Sequence, residues 1–294
     1  VPGPLGEELA ALLPGATVVL DRDVLGAHAT DRATFCPHGT PAALVRTACR
    51  EDVVAVMEFA ALKRVPVVPQ GARSGVAGGA NAVDGAILLD LTPMNRILDI
   101  DPVELTAKVE PGVLNAELSR AVAREGLYYP PDPSSTEFST IGGNIATNAG
   151  GLCCVKYGVT ADYVRGLSVV LADGRVLDTG TATAKGVAGY DLTRLFTGSE
   201  GTLGVITQAT LSLRTQPPPP LRRRPSRSSP RSAQPAPPSG VSSPSRARRR
   251  CWNSSTGHRS TSSEATGNSG FPTTPRRCFS FNTTTTTTRT APTR

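Results

Sequence analysis

Three glycine-rich segments carry the residue types and spacing that could do chemistry in this chain. The first, Val65-Pro66-Val67-Val68-Pro69-Gln70-Gly71-Ala72-Arg73-Ser74-Gly75-Val76-Ala77-Gly78-Gly79-Ala80, reads as a short buried strand entering a loop with four glycines in nine residues. With no Cβ atoms in the way, backbone N–H groups can converge on an anion, and nucleotide phosphates are the natural ligand. The familiar nucleotide motifs do not fit, however. A Walker loop ends in Gly-Lys-Ser/Thr, and no lysine lies between Lys63 and Lys108. The dinucleotide fingerprint needs G-x-G-x-x-G opening a helix. Here the spacing is G-x-x-x-G-x-x-G-G, and the following Asn81, Asp84 and Gly85 read as a turn. Taken alone, the loop is either a phosphate site or a surface turn after a strand.

The second segment runs from Pro130-Pro131-Asp132-Pro133-Ser134-Ser135 to Thr140-Ile141-Gly142-Gly143-Asn144-Ile145-Ala146-Thr147-Asn148-Ala149-Gly150-Gly151. Its glycine pairs permit close backbone approach to a flat ligand and would present N–H groups at a helix start. A glycine-rich helix-packing site is the competing reading. The third, Gly189 through Thr207, contains Gly198-Ser199-Glu200-Gly201-Thr202-Leu203-Gly204 and sits just before a strand.

The elements that must position these loops are legible from pattern. Residues 5–13 suit a short helix ended by Pro14-Gly15. Ala43–Thr47 reads as a strand, Glu51–Lys63 as a helix with acids at its start, and Val65–Val68 as a strand, a compact βαβ unit with a parallel crossover. Ala86–Leu91 reads as a buried strand, Arg96–Asp101 and Leu105–Glu110 as a strand pair, and Leu114–Glu125 as a helix stopped by Gly126. Tyr163–Leu171 and Arg175–Asp178 flank an Asp-Gly turn, and Val205–Leu213 is a final strand. A βαβ start followed by mostly antiparallel strands predicts an α+β fold in two lobes.

Composition divides the chain near Thr215. Residues 1–214 hold 17 Lys+Arg against 23 Asp+Glu, a net of −6, whereas residues 215–294 hold 14 Arg, no Lys and one acid (Glu264), a net of +13. The first part is long enough to bury a sound core. The second, rich in Arg, Pro, Ser and Thr, cannot bury one and is expected to be disordered. The expected domains are therefore 1–30 (an N-terminal helical segment), 31–214 (the globular domain) and 215–294 (the tail). No run of 18 apolar residues suggests a transmembrane helix, and the N-terminus lacks the n- and h-regions of a secretory signal, so a cytoplasmic protein is expected. Six cysteines with no C-x-x-C pair fit reduced thiols. Cys153-Cys154 reads as buried small hydrophobes, and His28 and His38 as structural. Lys185 reads as a solvated loop residue, while Arg73 could clamp a phosphate or point to solvent while its backbone binds.

The three segments, in this order and spacing, resemble the PCMH-type flavin-binding domain of the vanillyl-alcohol-oxidase superfamily. The nearest likeness is to the branch with the glycolate oxidase flavin subunit and the D-lactate and D-2-hydroxyglutarate dehydrogenases, and it runs from about Asp31 to Leu213. The resemblance implies an FAD site. Pro69, Gln70, Gly71, Ala72, Arg73, Ser74 and Gly75, with Gly78 and Gly79, would form its pyrophosphate loop. Pro131, Asp132 and Ser135, with Ile141, Gly142, Gly143, Asn144 and Ala146, would line the flavin ring and diphosphate. Glu200, Gly201, Gly204, Val205 and Ile206 would hold the ribityl or adenosine side. No His or Cys lies between Cys49 and Cys153, so the first loop offers no covalent tether and non-covalent FAD is expected.

The resemblance further implies oxidation of a small 2-hydroxy acid, with hydride passing to flavin N5, and partner subunits of a glycolate oxidase complex. In that family the substrate arginine, the catalytic and metal-binding histidines and the cap follow this domain. Here that stretch holds His258 and no matching motif, so no catalytic or metal-binding residue is assigned. A catalytically inactive FAD-binding remnant is the alternative. The tail composition also fits a reading-frame change between about Arg214 and Arg224: with GC-rich codons, Cys251–Thr256 re-reads in another frame as Leu-Glu-Leu-Leu-Asp. A nucleic-acid-binding arm is not expected, because the tail's aromatics are only Trp252, Phe271, Phe279 and Phe281.

Overall fold

The computed structural model describes residues 4–216, apart from 14–15, 34, 182, 184 and 187–188. The expectations of disorder and of a frame change for the Arg-rich tail lie outside the described residues, apart from 215 and 216.

The first lobe comprises α1 (Pro4–Leu12), β1 (Thr17–Val19), α2 (Arg22–His28), β2 (Ala43–Arg46), α3 (Arg50–Lys63), β3 (Val67–Gln70) and β4 (Ile87–Asp90). Its sheet has the order β1-β2-β4-β3, with β4 parallel to both neighbours and β1 antiparallel to β2. The parallel βαβ unit read from the sequence is present, with β4 inserted between its two strands. All four residues of β4 are buried, as a central parallel strand covered on both faces requires.

Strand alternation sorts the side chains of this sheet. Ala43, Val45, Ile87 and Leu89 pack with Leu9, Val53 and Val56 on the side of α1 and α3, while Leu44, Val68 and Leu88 pack with Leu25 of α2 on the other. The same period puts Arg46, Asp90 and Gln70, at the strand ends, in register with the residues that face α2. The segment 1–30 is thus not helical throughout: β1 is the sheet's edge strand, and α2 covers one face.

The second lobe comprises β5 (Ile97–Asp101), β6 (Thr106–Val109), α4 (Asn115–Arg124), β7 (Leu127–Tyr128), α5 (Ile141–Ala146), α6 (Cys154–Tyr157), β8 (Val164–Val170), β9 (Val176–Gly180), α7 (Leu192–Phe196), β10 (Val205–Ser212) and β11 (Arg214–Thr215). The main sheet, β5-β6-β10-β8-β9, is antiparallel throughout. The Asp-Gly turn joins β8 to β9, with Gly174 at φ +83 where an L side chain would be strained. Val109, Leu118, Ile141, Ile145, Val169 and Leu211 are fully shielded in the core that α4 and α5 close. Val170 and Val205 instead pack into the first lobe's core, which joins the two lobes. The α+β, two-lobed reading therefore holds.

Two expectations need correction. The globular part does not stop at Arg214: β11 pairs with β7, and the Gln216 N–H donates to Gly126 O at 2.9 Å, so backbone pairing carries the domain further. Cys153 and Cys154 are not buried but partly exposed, because α6 is a single turn with no buried residue. The four described cysteines are free thiols.

Candidate functional site

The glycine loop leaves β3 and runs beneath a cavity of about 510 Å³, within the size range of ligand pockets. The three segments converge on it. From the first, Pro69 through Gly75 and Gly79 line the cavity. From the second come Ser135, Gly142, Gly143, Asn144 and Ala146, and from the third Glu200, Gly201, Gly204 and Ile206. Five further predicted residues do not line it. Ile141 and Val205 turn into the cores at 0 % and 2 % exposure, and Gly78 donates its N–H to Asp31 Oδ2 at 3.0 Å. The Asp132 carboxylate accepts from the Cys153 N–H at 3.0 Å, and Pro131 O accepts from Asn115 Nδ2 at 3.3 Å.

The segments meet at glycines. A Cβ on Gly71 would overlap Thr140 Oγ1, and one on Gly79 would overlap the Glu200 carboxylate. The third segment is tied to α5 by backbone, Gly198 N–H to Ile145 O at 2.9 Å and Glu200 N–H to Ala146 O at 2.8 Å. Gln70 braces the glycine loop end to end: its Nε2 donates to Ala80 O at 2.8 Å and to His28 O at 2.9 Å.

The two candidate anion nests behave differently. Among the described residues, no protein group accepts a hydrogen bond from the N–H groups of Ala72 to Ala77. The N–H groups at the start of α5 are all taken. Ile141 donates to Val113 O, Gly142 to Pro111 O, Gly143 to Thr140 Oγ1 and Asn144 to Thr140 O. The expectation that the Gly142-Gly143 pair offers free N–H groups is therefore corrected: a side-chain cap and a preceding loop saturate this short helix.

Asn144 Nδ2, in a residue that lines the cavity and is 3 % exposed, is a buried polar atom without a protein partner, whereas the Gln70 side chain bonds the His28 imidazole as well as two backbone carbonyls. An orphan such as the Asn144 amide costs about 1–3 kcal/mol unless something else satisfies it. The cavity thus offers a run of free backbone donors and one side-chain donor, a set that fits an anionic ligand bearing hydrogen-bond acceptors.

The charged groups are arranged less simply. Glu200, at φ +53, has its carboxyl pKa raised, first by burial and then by the charge of Asp31. Arg73, at φ +51, does not point to solvent: its Nη1 donates to Ala27 O, and burial lowers its pKa. His28 is held below its usual pKa by burial and by Arg73, in keeping with a structural role. Lys185 is exposed, as expected of a loop lysine. Asp31, Arg32 and Phe138 also line the cavity, with the Arg32 guanidinium 4.5 Å above the Phe138 ring. No spacing signal marks these three, because they sit in irregular chain.

Residues 41–180 match the family model of the FAD binding domain. The chain carries an FAD-binding domain of this family. It is 50 % identical over 177 residues to the glycolate oxidase subunit GlcD of Bacillus subtilis (strain 168), a match covering 60 % of this chain and 38 % of the relative. It is 45 % identical over 173 residues to a D-lactate dehydrogenase of Anaerostipes hadrus, covering 59 % and 36 %. A D-2-hydroxyglutarate dehydrogenase of Stutzerimonas stutzeri (strain A1501) is 39 % identical over 212 residues, covering 72 % and 45 %. Among solved structures, an alkyldihydroxyacetonephosphate synthase superposes with a TM-score of 0.63 at 27 % identity, covering 72 % of this chain and 40 % of that one. The chain thus spans less than half the length of these curated relatives. The cofactor of the domain is FAD, and the free loop donors and the unpartnered Asn144 amide suit it. Among the described residues, none that lines the cavity is His or Cys.

Proposed function

We propose that this chain is the FAD-binding part of a cytoplasmic oxidoreductase that oxidises a small 2-hydroxy acid, of the glycolate or D-lactate type, to the 2-oxo acid. The observation that carries the reading is the convergence of Gln70–Ala77, Asn144 and the residues Glu200, Gly201 and Gly204 on one cavity, with unspent backbone donors in the loop and an unpartnered Asn144 amide. Bound FAD would supply the hydride acceptor for such a substrate. This chain's residues would bind and orient it: the loop N–H groups, braced by Gln70, at the diphosphate, Asn144 through its unpartnered amide, and Glu200, Gly201, Gly204 and Ile206 along the remaining wall. Gly78, Pro131, Asp132, Ile141 and Val205 would act behind that surface. In a whole enzyme, partner subunits like those of a glycolate oxidase complex belong to the same reading.

A second reading is an FAD-binding module without turnover. It is favoured by a cavity lining in which, among the described residues, no histidine stands to act as base. Among the described residues no cluster of three or more His, Cys, Asp or Glu could hold a metal ion, and no helix is long and apolar enough to cross a membrane. The purified chain separates the readings. Yellow protein bleached anaerobically by glycolate or D-lactate supports the enzyme, yellow protein that no hydroxy acid bleaches supports the module, and protein that takes up no FAD refutes both. The proposed frame change beyond Arg214 is tested separately by sequencing the coding DNA. Early stops or no globular pattern in the alternative frame would reject it.

A further inference from the structure

The C-terminal turn of α2 ends against the glycine loop, and the contact is made by the loop's own side chains. The last carbonyls of a helix have no intrahelical donor. In α2 the Gly26 carbonyl is taken by the Ala29 N–H at 3.2 Å, while Ala27 O accepts from Arg73 Nη1 and His28 O from Gln70 Nε2. Arg73 and Gln70 thus cap α2 from the two sides of the Gly71-Ala72 step. Arg73 does so from a left-handed backbone, φ +51, where a β-carbon is disfavoured and glycine is at ease. Its guanidinium, otherwise the obvious phosphate ligand of the loop, is engaged with the helix.

We propose that Arg73 is a positioning residue. It fixes the free N–H groups of Ala72–Ala77 in their binding arrangement by anchoring the loop to the end of α2, and does not act as a phosphate clamp. The inference rests on the reading that FAD occupies this cavity. It implies that α2, which contributes no residue to the cavity wall, sets cofactor affinity from behind.

The test uses the full chain, stripped of flavin and titrated with FAD by quenching of flavin fluorescence. Arg73→Gly keeps the left-handed backbone without strain and deletes the anchor, together with one positive charge on the cavity wall. It is expected to weaken FAD binding about tenfold. Asp21→Ala removes the N-cap of α2, whose carboxylate accepts from the Asp23 and Val24 N–H groups at 3.0 and 3.1 Å, outside the cavity lining. It is expected to weaken binding about threefold in the parent chain and to add nothing in the Arg73→Gly background. In flavin-free protein, amide exchange at Ala29 should rise in Arg73→Gly. Unchanged affinity in Arg73→Gly, fully additive effects of the two substitutions, or unchanged exchange at Ala29 would each overturn the proposal. Failure of the parent chain to bind FAD would instead sink the functional reading, while the exchange measurement still judges the anchor.

Discussion

The loop Pro69–Ala80 and the helix start Thr140–Asn144 are both glycine-rich and both line one cavity, yet they use glycine for different ends. The loop leaves the N–H groups of Ala72 to Ala77 without protein acceptors and is held through other groups, by the Gln70 and Asp31 side chains and by the Arg32 N–H on Gly75 O at 3.0 Å. The helix start spends every N–H on a protein acceptor, and its glycines let it press against neighbouring chain. A Cβ on Gly142 would come within 2.6 Å of Pro111 Cβ. Glycine content alone therefore does not mark a phosphate nest. What marks one is glycine with unspent donors, since a satisfied N–H gains nothing from a ligand.

The largest test of this contrast is Gly142→Ala. The Pro111 backbone and ring cannot yield cheaply, so the flavin-free chain should lose about 2–3 kcal/mol in urea unfolding. A drop in FAD affinity with stability unchanged would show instead that the helix start is a nest. Next is Asn144→Leu, which replaces an unpartnered buried donor by an apolar group of similar size. FAD affinity should fall by about tenfold or more, while the melting temperature of flavin-free protein holds or rises. A loss of stability would mean that the amide is satisfied within the protein.

Thr140→Ala is smaller. It removes the cap on Gly143, accepted at 3.3 Å, and should cost about 1 kcal/mol of stability. If the freed N–H gained a ligand contact, FAD affinity would rise, and the two segments would differ only by this cap.

The smallest expected effect is Glu200→Gln. Burial and Asp31 raise the Glu200 pKa in the folded state, so folding takes up protons at that group as pH rises past its ordinary range. Its charge therefore opposes folding at pH values above the raised pKa and is absent at pH values below the ordinary one. Glu200→Gln should raise the flavin-free melting temperature by about 1–2 °C at pH 8, after screening by solvent, and leave it unchanged at pH 4. An equal gain at both pH values would point to packing and not to charge.

Much of this was legible in the chain. The Asp-Gly turn before β9, the periodicity of α4 and the apolar runs of β4 and β10 announce themselves, because local conformation and face burial dictate those residues. The helix α2 was not resolved as an element within the 1–30 segment: it is seven residues long, contains Gly26 and buries only Leu25, so it carries no helical period. Asp31 and Arg32 could not be read as site residues, since nothing in their spacing shows that strand alternation would bring Gln70 and Asp90 to the same side as α2.

The sequence by itself determined the two-lobed α+β plan and the identity of the three loops, because hydrophobic period, turn chemistry and glycine spacing are local properties. Only the tertiary structure decided which glycine segment keeps its donors free and where the Arg73 guanidinium goes. Those outcomes depend on what lies opposite each N–H and each charge once the chain has closed. In this chain what lies opposite comes from distant segments, the end of α2 for the loop and Pro111 with Val113 for α5.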